Sequence, residues 1–274
     1  MPLARINDLD LYYERSGTGP RLLFLNGSGV MLEDSRLLLS VFTSQFDLLA
    51  YDQRGIGRSG TAECPYGMAE CAGDALALLD VVGWPTACVL GVSFGGMVAQ
   101  ELAVTAPGRV ERLALLCTSP GGMGGSSYPL HELDQRSDGE RNEIRRRLMD
   151  TRFDDAWLAS HPKDLALVAM MEGRTTEPDP ERRRGMSAQL EARRSHDVWD
   201  RLPSITCPTY IAGGRYDDIA PPRNSAAIAS RIEGAELHTY DGGHAFFAQD
   251  PRAIPDIIGF LSAPRVSSEP PPGH

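Results

Sequence analysis

Leu90-Gly91-Val92-Ser93-Phe94-Gly95-Gly96 decides how this chain is read. The apolar run Ala87 to Leu90 before it has the character of a buried strand. Met97-Val98-Ala99-Gln100-Glu101-Leu102-Ala103 after it has helical spacing. A serine between strand and helix, with glycine two residues before and two after, fits G-x-S-x-G. Such a turn is so sharp that the serine takes strained backbone angles and its neighbours need to lack a Cβ. The strain pushes Oγ out at the top of a sheet, beside the amides that open the next helix. Those amides and the positive helix end suit a developing oxyanion. The five letters alone also describe an ordinary strand-to-helix turn, so the rest of the chain has to supply the context.

Upstream, Leu3 to Arg15 alternates apolar and polar residues in two runs split by Asn7-Asp8, a hairpin signal. Arg21 to Leu25 is a short apolar strand that breaks into Asn26-Gly27-Ser28-Gly29. Ser35 to Phe42 reads as a helix, Phe46 to Tyr51 as a strand, and Met68 to Val82 as a helix ending at Gly83. Val110 to Cys117 and Pro208 to Ala212 are further buried strands, Asn224 to Ile232 a helix, Glu236 to Tyr240 the last strand, and Arg252 to Leu261 a closing helix. This alternation predicts a mostly parallel central sheet with helices on both faces. From about Pro120 to Asp200 strand-like runs disappear. A Gly121-Gly122-Met123-Gly124-Gly125 join leads into a charged, helical stretch with short apolar faces.

At this point the sequence resembles the α/β-hydrolase superfamily over nearly its whole length. Within that superfamily it is most similar to the 3-oxoadipate enol-lactonase-like group of capped lactone and carboxylester hydrolases. The residues that carry the resemblance are Asp52-Gln53-Arg54-Gly55-Ile56-Gly57-Arg58-Ser59, the Gly91–Gly96 stretch, Arg194 to Leu202, and Gly214-Arg215-Tyr216-Asp217-Asp218-Ile219-Ala220-Pro221-Pro222. The resemblance implies an α/β-hydrolase core from 1–119 and 201–264 and a helical cap inserted at 120–200, while the Pro/Ser-rich composition of 265–274 predicts a disordered tail. The resemblance also implies Ser93 as nucleophile, Asp217 as acid, in preference to Asp218, and His244 as general base, the Ser…Asp…His order of that superfamily. The family's His-Gly-x-x-Gly loop falls on Asn26-Gly27-Ser28-Gly29, so the amides of Ser28 and Phe94 become the oxyanion donors, with Asn26 in place of the usual histidine. Some hydrolases carry the acid just after the strand that ends at Cys117. Cys117 to Leu130 holds no Asp or Glu, which excludes that arrangement.

Substrate-pocket candidates are Val30, Met31, Met97, Trp157, Phe246 and Phe247, which would give an apolar pocket. Asp52 and Arg54 are expected to brace their loop as a charge pair. Arg145-Arg146-Arg147 and Arg182-Arg183-Arg184, with Glu143, Asp150, Asp179 and Glu181 nearby, are expected to form a solvated, salt-bridged surface. His238, inside a strand, is expected to be structural.

The implied activity is hydrolysis of a carboxylic ester or lactone of a small, largely apolar molecule through an acyl-enzyme, with no organic cofactor and no metal. Three alternatives stay open: C–C bond hydrolysis of a ring-cleavage product on the same three residues, a cofactor-free oxygenase or perhydrolase reaction, and a ligand receptor on a hydrolase scaffold. A serine nucleophile in place of aspartate disfavours dehalogenase and epoxide hydrolase chemistry. The 274 residues are 42% hydrophobic, and 27 Lys+Arg against 37 Asp+Glu give a net charge of −10, which argues against nucleic-acid or anionic-membrane partners. Five cysteines, with no leader-like apolar segment at the start, point to reduced thiols and a cytoplasmic protein. A homodimer is left open.

Overall fold

The computed structural model describes residues 2–61, 65–172 and 180–264. The expected tail at 265–274, together with Cys64 and Asp179, lies outside them. Eight strands form one sheet: β1 (Leu3–Ile6), β2 (Leu9–Ser16), β3 (Arg21–Leu25), β4 (Asp47–Tyr51), β5 (Ala87–Val92), β6 (Val110–Leu116), β7 (Thr209–Gly214) and β8 (Glu236–Tyr240). Their spatial order is β1-β2-β4-β3-β5-β6-β7-β8. The first two pairings, β1 with β2 and β2 with β4, are antiparallel, and every later one is parallel.

Parallel strands have to be joined by crossovers, and helices supply them. α1 (Arg36–Thr43) leads into β4, α2 (Met68–Val81) into β5, α3 (Phe94–Thr105) into β6, and α8 (Pro222–Ala229) into β8, while α9 (Phe246–Gln249) and α10 (Ala253–Ser262) close the chain. Successive strand residues point to opposite faces, and the burial follows that period. Leu23 and Leu25, Val89, and Leu113 and Leu115 join the side chains of α2, α3 and α8 in one core. Leu22 and Phe24, Cys88 and Leu90, and Ala114 and Leu116 join α1 and α10 in the other. Burial on both faces is why these strands read as continuous apolar runs.

Between β6 and β7 the described residues hold four helices: α4 (Asp138–Met149), α5 (Asp155–Ser160), α6 (Pro162–Glu172) and α7 (Pro180–Arg194). Both ends of this insertion are tied to each other by an antiparallel bridge, Gly121 to Asp197, and by Val198 N–H donating to the Pro120 carbonyl at 3.0 Å. Among the described residues no helix is long and apolar enough to cross a membrane.

The chain leaves β3 toward β4 on one side and returns to β5 on the other. Loops that follow strands flanking such a reversal open a crevice at the carboxyl edge of the sheet. Here β3 and β5 are direct neighbours with Leu25 opposite Gly91, so the loop after Leu25 and the turn at Ser93 lie side by side.

One expected contact is replaced by another. Arg54 does not pair with Asp52. Its Nε and Nη2 donate to both oxygens of Asp74 on α2, at 2.7 and 2.8 Å, and both side chains are buried. Asp52 instead accepts backbone N–H groups, from Leu32 at 2.7 Å and Arg58 at 3.0 Å, so it closes its own loop without a cationic partner. Burial raises its carboxyl above the usual range, and the two amides oppose that. Removing one member of a buried pair strands the other charge, a loss of about 3–5 kcal/mol, whereas an apolar replacement of both is far better tolerated. Asp74→Ala is therefore expected to lower the unfolding free energy from urea titration by that amount, with a lower midpoint, and Arg54→Met with Asp74→Leu to recover most of it. An unchanged midpoint in the single variant would show that the pair does not hold the loop to α2.

Candidate active site

Ser93 sits between β5 and α3 with φ 53° and ψ −114°, a conformation that side chains other than glycine rarely adopt. What makes it obligatory is the absence of space. A Cβ on Gly91 would lie 2.4 Å from the Gly95 carbonyl oxygen, one on Gly95 would lie 2.1 Å from the Leu25 carbonyl oxygen, and one on Gly96 would meet Thr118 at 2.6 Å. The turn is held from outside too: Ser93 N–H donates to the Leu116 carbonyl at 2.8 Å, and Thr118 Oγ1 donates to the Ser93 carbonyl at 2.8 Å.

His244 comes from the loop after β8 and Asp217 from the loop after β7. His244 Nε2 lies 3.0 Å from Ser93 Oγ, and His244 Nδ1 lies 2.7 Å from Asp217 Oδ2. The carboxylate is fully buried, while the imidazole keeps 12% of its side-chain surface exposed. The other carboxylate oxygen, Asp217 Oδ1, accepts the amides of Ile219 at 2.8 Å and Ala220 at 2.9 Å, which fixes the direction of the carboxylate. The three side chains thus form one continuous hydrogen-bonded line.

The Asn26–Gly29 loop runs past Ser93, and a Cβ on Gly27 would be in van der Waals contact with the Ser93 Cβ at 3.7 Å. With asparagine in place of histidine, the bracing is done by three neighbours. Ser35 Oγ donates to Asn26 Oδ1 at 2.8 Å, Gln53 Nε2 donates to the Asn26 carbonyl at 2.7 Å, and Gly29 N–H donates to Oε1 of Gln189 on α7 at 2.8 Å. Among the described residues neither the Ser28 nor the Phe94 amide donates to a protein acceptor.

A cavity of about 580 Å³ opens over Ser93 and His244. Val30 and Phe247 line it as expected. Met31, Met97, Trp157 and Phe246 do not. Phe246 is fully buried and stacks on Tyr240 at 5.2 Å; Trp157 stacks on His161 at 3.7 Å and donates its ring N–H to Asp164 at 2.8 Å. Met31 and Met97 face other hollows. The walls come instead from Leu37, Leu38 and Val41 of α1 and from Leu167, Met170 and Met171 of α6. Their apolar spacing was legible, but which helix face looks into the cleft is set only when the insertion docks.

A second set of residues gave no local signal. The segment that closes α4 clasps both loops: the Leu148 carbonyl accepts Asp218 N–H, the Met149 carbonyl accepts His244 N–H at 2.6 Å, and Thr151 N–H donates to the Tyr216 carbonyl. Asp150, expected on the solvated surface, is fully buried and takes a bidentate bond from Arg152, at 2.9 and 2.6 Å. Gln249 bridges Asp150 to the Gly243 amide. His238 fits its structural reading, stacked between Tyr210 and Tyr240.

Residues 20–251 match the family described as alpha/beta hydrolase fold. The chain belongs to it. Among curated relatives it is 28% identical to the provisionally named carbamate hydrolase RutD of Azorhizobium caulinodans, across 95% of this chain and 98% of that one. It is 24% identical to 3-oxoadipate enol-lactonase 2 of Acinetobacter baylyi, across 90% and 91%. The crystal structure of the enol-lactonase from Burkholderia xenovorans LB400 superposes with a TM-score of 0.80 at 23% identity, covering 96% of this chain and all of that one. The resemblance to the enol-lactonases and the expected fold both stand, and this α/β-hydrolase is an enzyme.

The clasp generates a test. A Cβ on Gly243 would lie 1.9 Å from the Met149 carbonyl oxygen, so the His244 loop and α4 cannot both stay in place in Gly243→Ala. Overpacking of this kind costs about 1–3 kcal/mol. The expected result is a lower Tm and faster hydrogen exchange at the His244 amide; wild-type protection there would refute the clasp.

Proposed function

We propose that the protein is a serine hydrolase that cleaves a carboxylic ester or lactone through an acyl-enzyme intermediate. The observation that carries this reading is the unbroken contact from Ser93 Oγ through the His244 imidazole to the buried Asp217 carboxylate. Serine is a weak nucleophile at neutral pH and needs a base in hydrogen-bond reach. His244 Nε2 takes the Ser93 proton as Oγ attacks the substrate carbonyl. Asp217 holds the tautomer with the proton on Nδ1 and stabilises the imidazolium that forms.

Negative charge then gathers on the carbonyl oxygen. The Phe94 amide opens α3, the Ser28 amide lies in the adjoining loop, and together they are the donors for it. One such donor is worth roughly 3–4 kcal/mol of barrier. The imidazolium returns its proton to the leaving alcohol, and water repeats the sequence on the acyl-enzyme. In a lactone the leaving alcohol stays attached to the acyl group, so a single ring-opened acid is released.

The cavity supports a small, largely apolar substrate. Its volume lies within the range of about 300–1,000 Å³ usual for small-molecule sites. Apart from the catalytic pair, its polar lining among the described residues is confined to Asn26, Gly27, Ser28, Asp34 and Ser35, with no lysine or arginine among them. The relatives named for a carbamate and for an enol-lactone both take substrates with a carbonyl carbon open to attack.

The test is a panel of p-nitrophenyl esters and lactones with wild type, Ser93→Ala and Asp217→Asn. Wild type is expected to turn over repeatedly, with kcat falling about 10⁴-fold or more in either variant. Turnover that survives Ser93→Ala, or a panel on which only vinylogous diketones react, would overturn the ester and lactone reading.

A further inference from the structure

A second cavity, of about 460 Å³, adjoins the first, and Leu130 lines both. Its walls include Met97 one turn into α3, Ser119 just past β6, His196, and Arg193 near the end of α7. Like Arg112, which donates to the Pro264 carbonyl, Arg193 has no carboxylate partner among the described residues. Arg54, Arg152 and Arg201 each grip a carboxylate with two nitrogens. Arg193 makes one hydrogen bond among the described residues, from Nη2 to the Tyr128 carbonyl at 2.7 Å, and no ion pair.

A guanidinium has five N–H donors in a planar fork suited to a carboxylate, and a charge drawn out of water without a counter-ion is costly. Burial lowers the Arg193 pKa to about 10, a shift that the nearby Asp217 charge partly opposes. Asp217 does not serve as the missing counter-ion, because both its oxygens are already engaged by His244, Ile219 and Ala220. Glu132 also lines the cavity, but it is exposed and makes no ion pair with Arg193 among the described residues. His196 adds no charge of its own: its Nε2 is held at the Ser119 carbonyl, and burial lowers its pKa to about 4. Among the described residues the cavity thus presents a cation with open donors that no carboxylate pairs.

We propose that the cavity around Arg193 is a carboxylate-binding site. The carboxylate has two sources with the same chemistry: the far end of a substrate whose reacting carbonyl sits at Ser93, or a free small acid such as a reaction product. The inference goes beyond the hydrolytic reading and does not need it, since binding is measured without turnover.

The first measurement is titration of glutarate into wild type, Arg193→Gln and Arg193→Lys at constant ionic strength, read by calorimetry and by Tm. A ligand that binds only the folded state raises Tm in a saturable way. Wild type is expected to bind, Arg193→Gln to weaken binding at least tenfold, and Arg193→Lys to fall between them because it keeps the charge without the fork. The second measurement compares kcat/KM for monomethyl glutarate and its neutral isostere methyl 5-methylhexanoate. A wild-type preference for the charged ester, lost through KM in Arg193→Gln, assigns the site to the substrate's own carboxylate. Glutarate binding with no such preference assigns it to a free acid. Absence of saturable glutarate binding to wild type overturns the proposal, as does binding that is equal in wild type and a folded Arg193→Gln. If Arg193→Gln does not fold, the wild-type titration and Arg193→Lys decide. If no ester reacts at all, the hydrolytic reading fails while the titration still judges this one.

Discussion

The backbone of Ser93, held at φ 53° by lack of room around it, is the constraint on which the arrangement depends. Strain at one residue persists only when its surroundings over-determine it. Here the surroundings are three glycines, the carbonyls of Leu25 and Asn26, and Thr118, so β3, β5, β6 and α3 all converge on that turn. The central strands cannot shift register without releasing it. The fully buried strands on either side are therefore more than a core: they press α3 into the sheet closely enough that only glycine fits at the contact.

Around that fixed point the loops are held by a small set of hydrogen bonds, several of which cross a large sequence separation. Gln53 and Gln189 hold the Asn26–Gly29 loop from two different parts of the chain. Asp217 spends one oxygen on backbone amides and keeps the other for His244. Asp150, Arg152 and Gln249 tie α4 to the loop after β8. A buried donor or acceptor left open is expensive, so each of these bonds also fixes the position of the segment that supplies it.

Strand and helix order was legible because it rests on local period: alternation in β2, continuous apolar runs in β3, β5 and β6, and the 3.6-residue spacing in α2. Ser93, Asp217 and His244 were legible because glycine-marked loops surround each of them and their order follows a known family. The structure brings all three together. The pocket was only partly legible. Trp157 and Phe246 are large and apolar, but each found a partner inside its own layer, a stacked His161 and a stacked Tyr240. Asp52 and Arg54, two residues apart, turned to different partners, one to backbone amides and one to Asp74 on α2. Pairings of that kind are decided by which elements meet in space, and no short window of sequence contains them.

The clasp at residues 148–151 also limits how the insertion is able to move. Its carbonyls and amide seat the loops that carry Asp217 and His244, so α4 belongs mechanically to the sheet although it is threaded with the helices. A rigid swing of all four helices would drag Asp217 and His244 out of line with Ser93. Breathing that keeps the three aligned is confined to the helices beyond Thr151, where α6 shares the cavity with the exposed Leu37 and Val41 rim of α1 and presents Met170 to solvent. Grafting a foreign set of helices onto this sheet would therefore have to retain the stretch through Thr151 as part of the scaffold.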